Sequence, residues 1–167
     1  MTKSPCIAVI PAFEPTPILG QLINRLCECE PDIRIVVIDD GSMTNAARGV
    51  FQTIEKCGKV EILRHAQNCG KGAALKTGFK YLIDQEVLDG TIVAFDADGQ
   101  HLIDDVIKVM HLSSESGKPT LGVRTFDKYT PLKSLLGNHV SSLLLRFFFG
   151  INLGDTQTGL RAVPAAL

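Results

Sequence analysis

Short runs of β-branched and apolar residues alternate along this chain with longer stretches whose apolar positions recur every three to four residues. The first pattern predicts buried strands and the second predicts amphipathic helices. Strands are expected at residues 7–11, 33–38, 60–63, 91–95 and 120–123. Most are nearly continuous apolar runs, as in a sheet covered on both faces. Helices are expected at residues 17–29, 44–57, 72–85 and 103–116, several of them bounded by Gly, Pro or Asp as start and stop signals. The resulting order, β-α-β-α-β-α-β-α-β, is that of βαβ units building a parallel sheet in an α/β fold.

One stretch departs from the alternation. Residues 131–150 are strongly apolar yet carry Lys133, Asn138, His139 and Arg146, so they do not form a transmembrane helix. They are read as core, with an apolar face laid on a membrane surface as the open alternative. No repeat, low-complexity tract or linker divides the chain, and its 167 residues fit a single domain spanning 1–167.

Composition narrows the functional classes. With 45% hydrophobic and 21% charged residues the chain is of ordinary globular type, and a formal net charge of −1 provides no basic footprint for a nucleic acid. Cys6, Cys27, Cys29, Cys57 and Cys69 are odd in number and form no CxxC pair, as expected of reduced thiols in a cytosolic protein. The first residues lack the charged-then-apolar layout of a signal peptide, so the expected location is the cytoplasm or the cytoplasmic face of a membrane.

In an open parallel α/β sheet, ligands bind outside the carboxyl ends of the strands. The residues after each expected strand are therefore the candidates: Pro11-Ala12-Phe13-Glu14, Asp39-Asp40-Gly41-Ser42, Asn68-Cys69-Gly70-Lys71-Gly72, Asp96-Ala97-Asp98-Gly99-Gln100-His101, and Arg124. Five such clusters on one edge describe a pocket. Asp96 and Asp98 would repel each other without a cation nearby, and oxygen ligands suit Mg²⁺ or Mn²⁺, which complete their shells with water and substrate phosphates. A tight Asp turn leading into a helix cap is the competing reading. For Asp39-Asp40-Gly41-Ser42 a turn and a nucleotide contact are compatible, since a carboxylate accepts from base N–H and ribose hydroxyl groups.

Gly70-Lys71-Gly72 lacks Walker A spacing, and no Gly-x-Gly-x-x-Gly follows the first strand, so an ATPase and a dinucleotide-cofactor domain both lose their main support. Lys71 is a candidate for reaching the nucleotide. Arg124, and Arg161 within Asp155-Thr156-Gln157-Thr158-Gly159-Leu160-Arg161, suit a phosphate on donor or acceptor. His101 reads equally as a metal ligand or base and as a helix-start residue, while His65, His111 and His139 read as structural or surface.

Taken together, the clusters at residues 39–42, 68–74, 96–101 and 155–161, in this order and spacing, resemble the family 2 glycosyltransferases of the GT-A fold. Within that family the chain is most similar to the polyprenyl-phosphate (dolichol-phosphate-like) sugar synthases. The resemblance implies a Rossmann-like α/β/α sandwich with a mostly parallel central sheet, and an inverting, metal-dependent transferase using a UDP- or GDP-linked sugar. It implies that Asp96, Asp98 and Gln100 bind Mg²⁺ or Mn²⁺ and the donor diphosphate. Pro11, Ala12, Phe13, Asp39, Asp40, Lys71, Asp96 and Ala97 would line the nucleotide-sugar site. Asp98 and Arg124 would be catalytic, with Arg124 on the phosphate of a lipid-phosphate acceptor at a membrane surface. A glycan acceptor, or a non-catalytic nucleotide-sugar binding module, are the alternatives. Two departures stand out: Phe13-Glu14-Pro15 replaces the family's Tyr-Asn-Glu, and the chain ends at Leu167 where relatives continue on the acceptor side.

Overall fold

The structure, a computed structural model, describes residues 5–87, 89–122 and 159–166. Ten elements follow in the order β1 (Cys6–Ala12), α1 (Ile18–Cys29), β2 (Arg34–Asp39), α2 (Asn45–Glu55), β3 (Val60–Arg64), α3 (Lys71–Asp84), β4 (Thr91–Ala94), α4 (Ile103–Ser116), β5 (Thr120–Leu121) and β6 (Arg161–Pro164). They build one mostly parallel sheet in the order β3-β2-β1-β4-β6-β5, in which only β6 runs against its neighbours.

The strands form where the sequence offers residues that tolerate burial on both sides. Every residue of β1 and of β4 is buried, and so is all of β2 after Arg34. On one face of the sheet α1, α2 and α4 pack through Leu19, Ile23 and Leu26, through Val50, Phe51 and Ile54, and through Val106 and Met110. On the other face α3 packs through Ala74 and Leu82 onto Ile7, Val9, Val36 and Ile38. Each fully buried Leu or Ile contributes roughly 1.5–3 kcal/mol by leaving water. Between Ala74 and Leu82, one helical turn from each, lies Gly78. A Cβ there would stand 2.7 Å from Val9 Cγ1, so glycine sets how closely α3 approaches the sheet. That approach fixes the N-terminus of α3 over the carboxyl edge.

Two differences from the sequence expectation have plain causes. Ala12, expected beyond the first strand, closes β1, because β2 runs on to Asp39 and the two ends pair in register, Pro11 with Ile38 and Ala12 with Asp39. β6 was not foreseen. Its four residues pair antiparallel with β4, Ala94 opposite Arg161 and Thr91 opposite Pro164, a partnership across more than sixty residues of chain that no local periodicity announces.

Connections from β1 lead to β2 and β3 on one side, while β4 lies on the other. The direction of winding therefore reverses between β1 and β4, and this switch point is where an open α/β sheet leaves a crevice. Arg124, residues 131–150 and residues 155–158 lie outside the described residues.

Candidate active site

The carboxyl ends of β1, β2 and β3 remain laced beyond the strands: the Asp40 N–H donates to Ala12 O at 2.8 Å, and the His65 N–H to Asp39 O at 2.9 Å. This holds Asp39 and Asp40 rigidly, and their side chains part ways. Asp39 Oδ1 accepts from the Ser42 N–H at 2.8 Å, closing the turn, while Oδ2 lies 3.9 Å from Arg64 Nε. Gly41 turns the chain at φ +76°, and a Cβ on it would stand 2.6 Å from Asn68 N. The turn after β2 and the loop after β3 thus touch backbone to backbone.

Asp40 is buried and fully engaged. Its Oδ1 lies 2.7 Å from His65 Nδ1 and accepts from the Cys69 N–H at 2.9 Å, and its Oδ2 accepts from the Gly70 N–H at 2.8 Å. The other ring nitrogen of His65 meets Thr77 Oγ1 at 2.9 Å. An ionised carboxylate only accepts, so His65 Nδ1 carries the shared proton. Burial raises the Asp40 pKa, but the hydrogen bonds from Cys69, His65 and Gly70 outweigh it and hold the carboxyl below its ordinary value. Asp40 is therefore the anchor of the loop that leads into α3.

Glu14 plays a similar part for α2. Its carboxylate accepts from the Met43 N–H at 2.7 Å, from the Thr44 N–H at 3.2 Å and from the Thr44 hydroxyl, while Thr44 Oγ1 caps the helix by accepting from the Ala47 N–H. Its own N–H donates to Ser42 Oγ at 2.9 Å. The Thr44 and Met43 hydrogen bonds lower the Glu14 pKa. The loop after β1, where Glu14 and Pro15 replace the expected Asn and Glu, is in this way tied to the turn after β2. Phe13 beside it is half exposed, at 52%.

The loop after β4 is wired differently. Asp96 is partly buried, Ala97 packs against the core, and Asp98 and Gln100 are exposed. Asp98 Oδ1 accepts from the Gln100 N–H at 3.0 Å. Lys71, the first residue of α3, places its Nζ 2.6 Å from Asp96 Oδ1. Gly159, just before β6, stands against the other oxygen: a Cβ there would overlap Asp96 Oδ2 and lie 3.1 Å from His101 Nε2. The residues leading into the unforeseen strand thus border Asp96, and Gly159 falls within the motif at residues 155–161.

These residues suit a hard divalent cation. Asp96 and Asp98 offer oxygen at the switch point, and Asp96 already attracts a cationic group. Among the described residues the one cluster of three His, Cys or acidic side chains close enough to share an ion is Asp40, His65 and Cys69. That mixed set suits softer metals, and its Asp40 and His65 atoms are already hydrogen-bonded to each other and to the loop. Mg²⁺ and Mn²⁺ take the other kind of site, one or two carboxylates completed by substrate phosphates.

A switch-point crevice with paired acidic strand ends defines the class as an open α/β domain that binds its ligand at the carboxyl edge of the sheet. Residues 7–161 match the family described as Glycosyl transferase family 2, and the chain belongs to that family. It is 34% identical over 97% of its length to an uncharacterised protein of Methanocaldococcus jannaschii, covering 65% of that protein. It is 31% identical over 92% of its length to the UDP-N-acetylglucosamine–dolichyl-phosphate N-acetylglucosaminyltransferase of Methanococcus voltae, covering 67% of it. Among solved structures, a mannosyltransferase from Pyrobaculum calidifontis, in complex with GDP-Man and Mn²⁺, superposes with a TM-score of 0.63. The identity is 14%, over 98% of this chain and 45% of that one, a likeness of fold. The chain thus spans about two thirds of the length of the curated relatives it matches first. Among the described residues no helix is long and apolar enough to cross a membrane.

Proposed function

We propose that this chain is the donor-binding and catalytic part of an inverting transferase that moves a sugar from a nucleoside-diphosphate sugar to a polyprenyl phosphate. The observation that carries the reading is the Lys71–Asp96 pair at the carboxyl end of β4 in a family 2 sheet, with Asp98 in the same loop and Asp39 closing β2 on the same edge. The relatives' names supply the acceptor class, since the Methanococcus voltae protein is named for transfer to dolichyl phosphate.

In this reading the turn after β2 receives the nucleotide. Asp39 is the carboxylate that accepts from base or ribose, because both Asp40 oxygens are committed to the loop after β3. Phe13, half exposed, would form the adjoining wall, backed by the buried Pro11 and Ala12 that end β1. Asp96, Asp98 and Gln100 would hold Mg²⁺ or Mn²⁺, and that ion, when bound, supplies Lewis-acid stabilisation of charge on the leaving diphosphate. Asp96 and Asp98 would act on the diphosphate only through the ion they hold, while the Lys71 ammonium beside Asp96 would face the phosphates directly. The acceptor phosphate oxygen attacks the anomeric carbon as the bond to the nucleoside diphosphate breaks, with inversion. A phosphate monoester is already anionic near neutral pH, so no strong general base is required. Arg124 would hold the acceptor phosphate. The protein would act at the cytoplasmic face of a membrane.

The test is transfer of radiolabelled sugar from UDP- and GDP-linked donors, with polyprenyl phosphate and soluble glycans offered side by side, with and without Mn²⁺. The reading requires label in the lipid fraction, dependent on metal and lost with Arg124→Ala. Label only in soluble glycan would replace the acceptor. Metal-dependent nucleotide binding without transfer or donor hydrolysis would leave a binding module.

A further inference from the structure

Asp96 has a cation of the protein's own at hand. Lys71 Nζ stands 2.6 Å from its Oδ1, with the lysine side chain 48% exposed and the aspartate 27%. Gly159 lies beside Oδ2, while Oδ1 is the oxygen the ammonium occupies and the one a cation would take from it. The backbone under Lys71 is fixed on three sides. Gly70 adopts φ +88°, its N–H is held by Asp40 and by Asn68 Oδ1, and α3 sits tight on the sheet at Gly78. Beyond that fixed Cα, the ammonium rides on four rotatable methylenes and can swing without disturbing the loop.

We propose that Lys71 is an exchangeable counter-ion of the site. Its ammonium neutralises Asp96 in the free protein, yields Oδ1 to the divalent cation, and turns to the diphosphate that arrives with it. This rests on the donor-site reading above. A half-exposed ion pair is weak, so it stabilises the empty site without locking it. A divalent cation arriving alone must displace an ammonium that has nowhere better to go. A cation arriving with a nucleoside diphosphate supplies the displaced ammonium with a charge-assisted partner. Metal and nucleotide are thereby coupled: each should bind more tightly in the presence of the other, and by reciprocity through the same factor.

Removing the ammonium should move the two affinities in opposite directions. The experiment is Mn²⁺ binding to the full chain, read from the paramagnetic resonance of free Mn²⁺, alone and with UDP or GDP. The proteins are wild type, Lys71→Met, Lys71→Gln and, as control, Lys76→Met. Lys76 is an exposed lysine on the same helix and reports the general effect of losing a positive charge. Both Lys71 variants should bind Mn²⁺ alone about two- to five-fold more tightly, the fold-change expected for an exposed ion pair. In saturating Mn²⁺ they should bind the nucleoside diphosphate about tenfold more weakly, as for a lost charge-assisted hydrogen bond. Lys76→Met should do neither. Unchanged or weaker Mn²⁺ binding in the Lys71 variants, a change matched by Lys76→Met, or tighter Mn²⁺ with undiminished nucleotide binding each overturns the exchange. If wild type binds neither Mn²⁺ nor nucleotide, the donor-site reading falls and the exchange with it.

Discussion

After β2 the chain places two carboxylates in a turn that closes upon its own backbone, and after β4 it places two more in a loop that stays open. Asp40 has His65, Cys69 N–H and Gly70 N–H around it and is buried, whereas Asp98 is exposed and accepts from Gln100 N–H. Asp96 lies between these extremes, partly buried and held by one half-exposed lysine. Both pairs sit at strand ends beside the switch point, so position alone does not separate them. Hydrogen-bond satisfaction does. A buried acceptor whose partners all come from the fold stabilises the fold, while an acceptor left facing solvent is available to a ligand.

If that contrast is right, Asp40 and the pair after β4 fail in different ways when truncated. Asp98→Ala, and Asp96→Ala with it, should lower metal-dependent transfer about a thousandfold, or about 4 kcal/mol of barrier. Midpoints of thermal unfolding should stay near that of wild type. An Asp98 variant that unfolds in dilute buffer would break the comparison at its open end. Asp40→Ala should do the reverse and lower unfolding free energy by about 3 kcal/mol, because it leaves two backbone N–H groups and His65 without their acceptor. Urea denaturation measures this directly. A loss of activity from Asp40→Ala at undiminished stability would make Asp40 a ligand contact after all.

Gly159→Ala tests whether the open end is shaped from outside its own loop. The added methyl would overlap Asp96 Oδ2 and crowd His101, so either the carboxylate or β6 must move. A displacement of about 1 Å at a reacting site costs on the order of a hundredfold in rate. The expected outcome is that loss in kcat with nucleotide affinity in the absence of metal unchanged. Equal loss of binding with and without metal would place the methyl's effect elsewhere than on Asp96.

The same contrast sets what could be read from the sequence. The four helices and the strands from β1 to β5 were legible, because burial on sheet faces or on one helix face imposes periods on contiguous residues. The acidic pairs were legible as candidates because strand ends follow from the strands. Their different wiring was not, since the partners of Asp40 lie in the loop after β3, 25 to 30 residues on. Likewise β6 draws its identity from pairing with β4, and the tie from Glu14 to the cap of α2 spans 29 and 30 residues. Local pattern fixes which residues are buried, whereas long-range hydrogen bonds fix which polar groups remain for chemistry.

The smallest effect concerns protons at the closed end. Hydrogen bonds from Cys69, His65 and Gly70 outweigh burial and hold the Asp40 carboxyl below its ordinary value. A group whose folded pKa is depressed adds stability above its unfolded pKa of about 3.9, and that stability is lost as pH falls through the folded value. Asp40→Asn removes the titration while keeping the shape. Its amide can still accept at one atom, but the other presents N–H to the Gly70 N–H, so the variant should be less stable near neutrality. The stability gap between wild type and Asp40→Asn should therefore narrow as the pH drops below about 4. A gap that stays constant down to acid unfolding would mean that the Asp40 charge adds nothing beyond shape, and the two ends of the site would then differ in exposure alone.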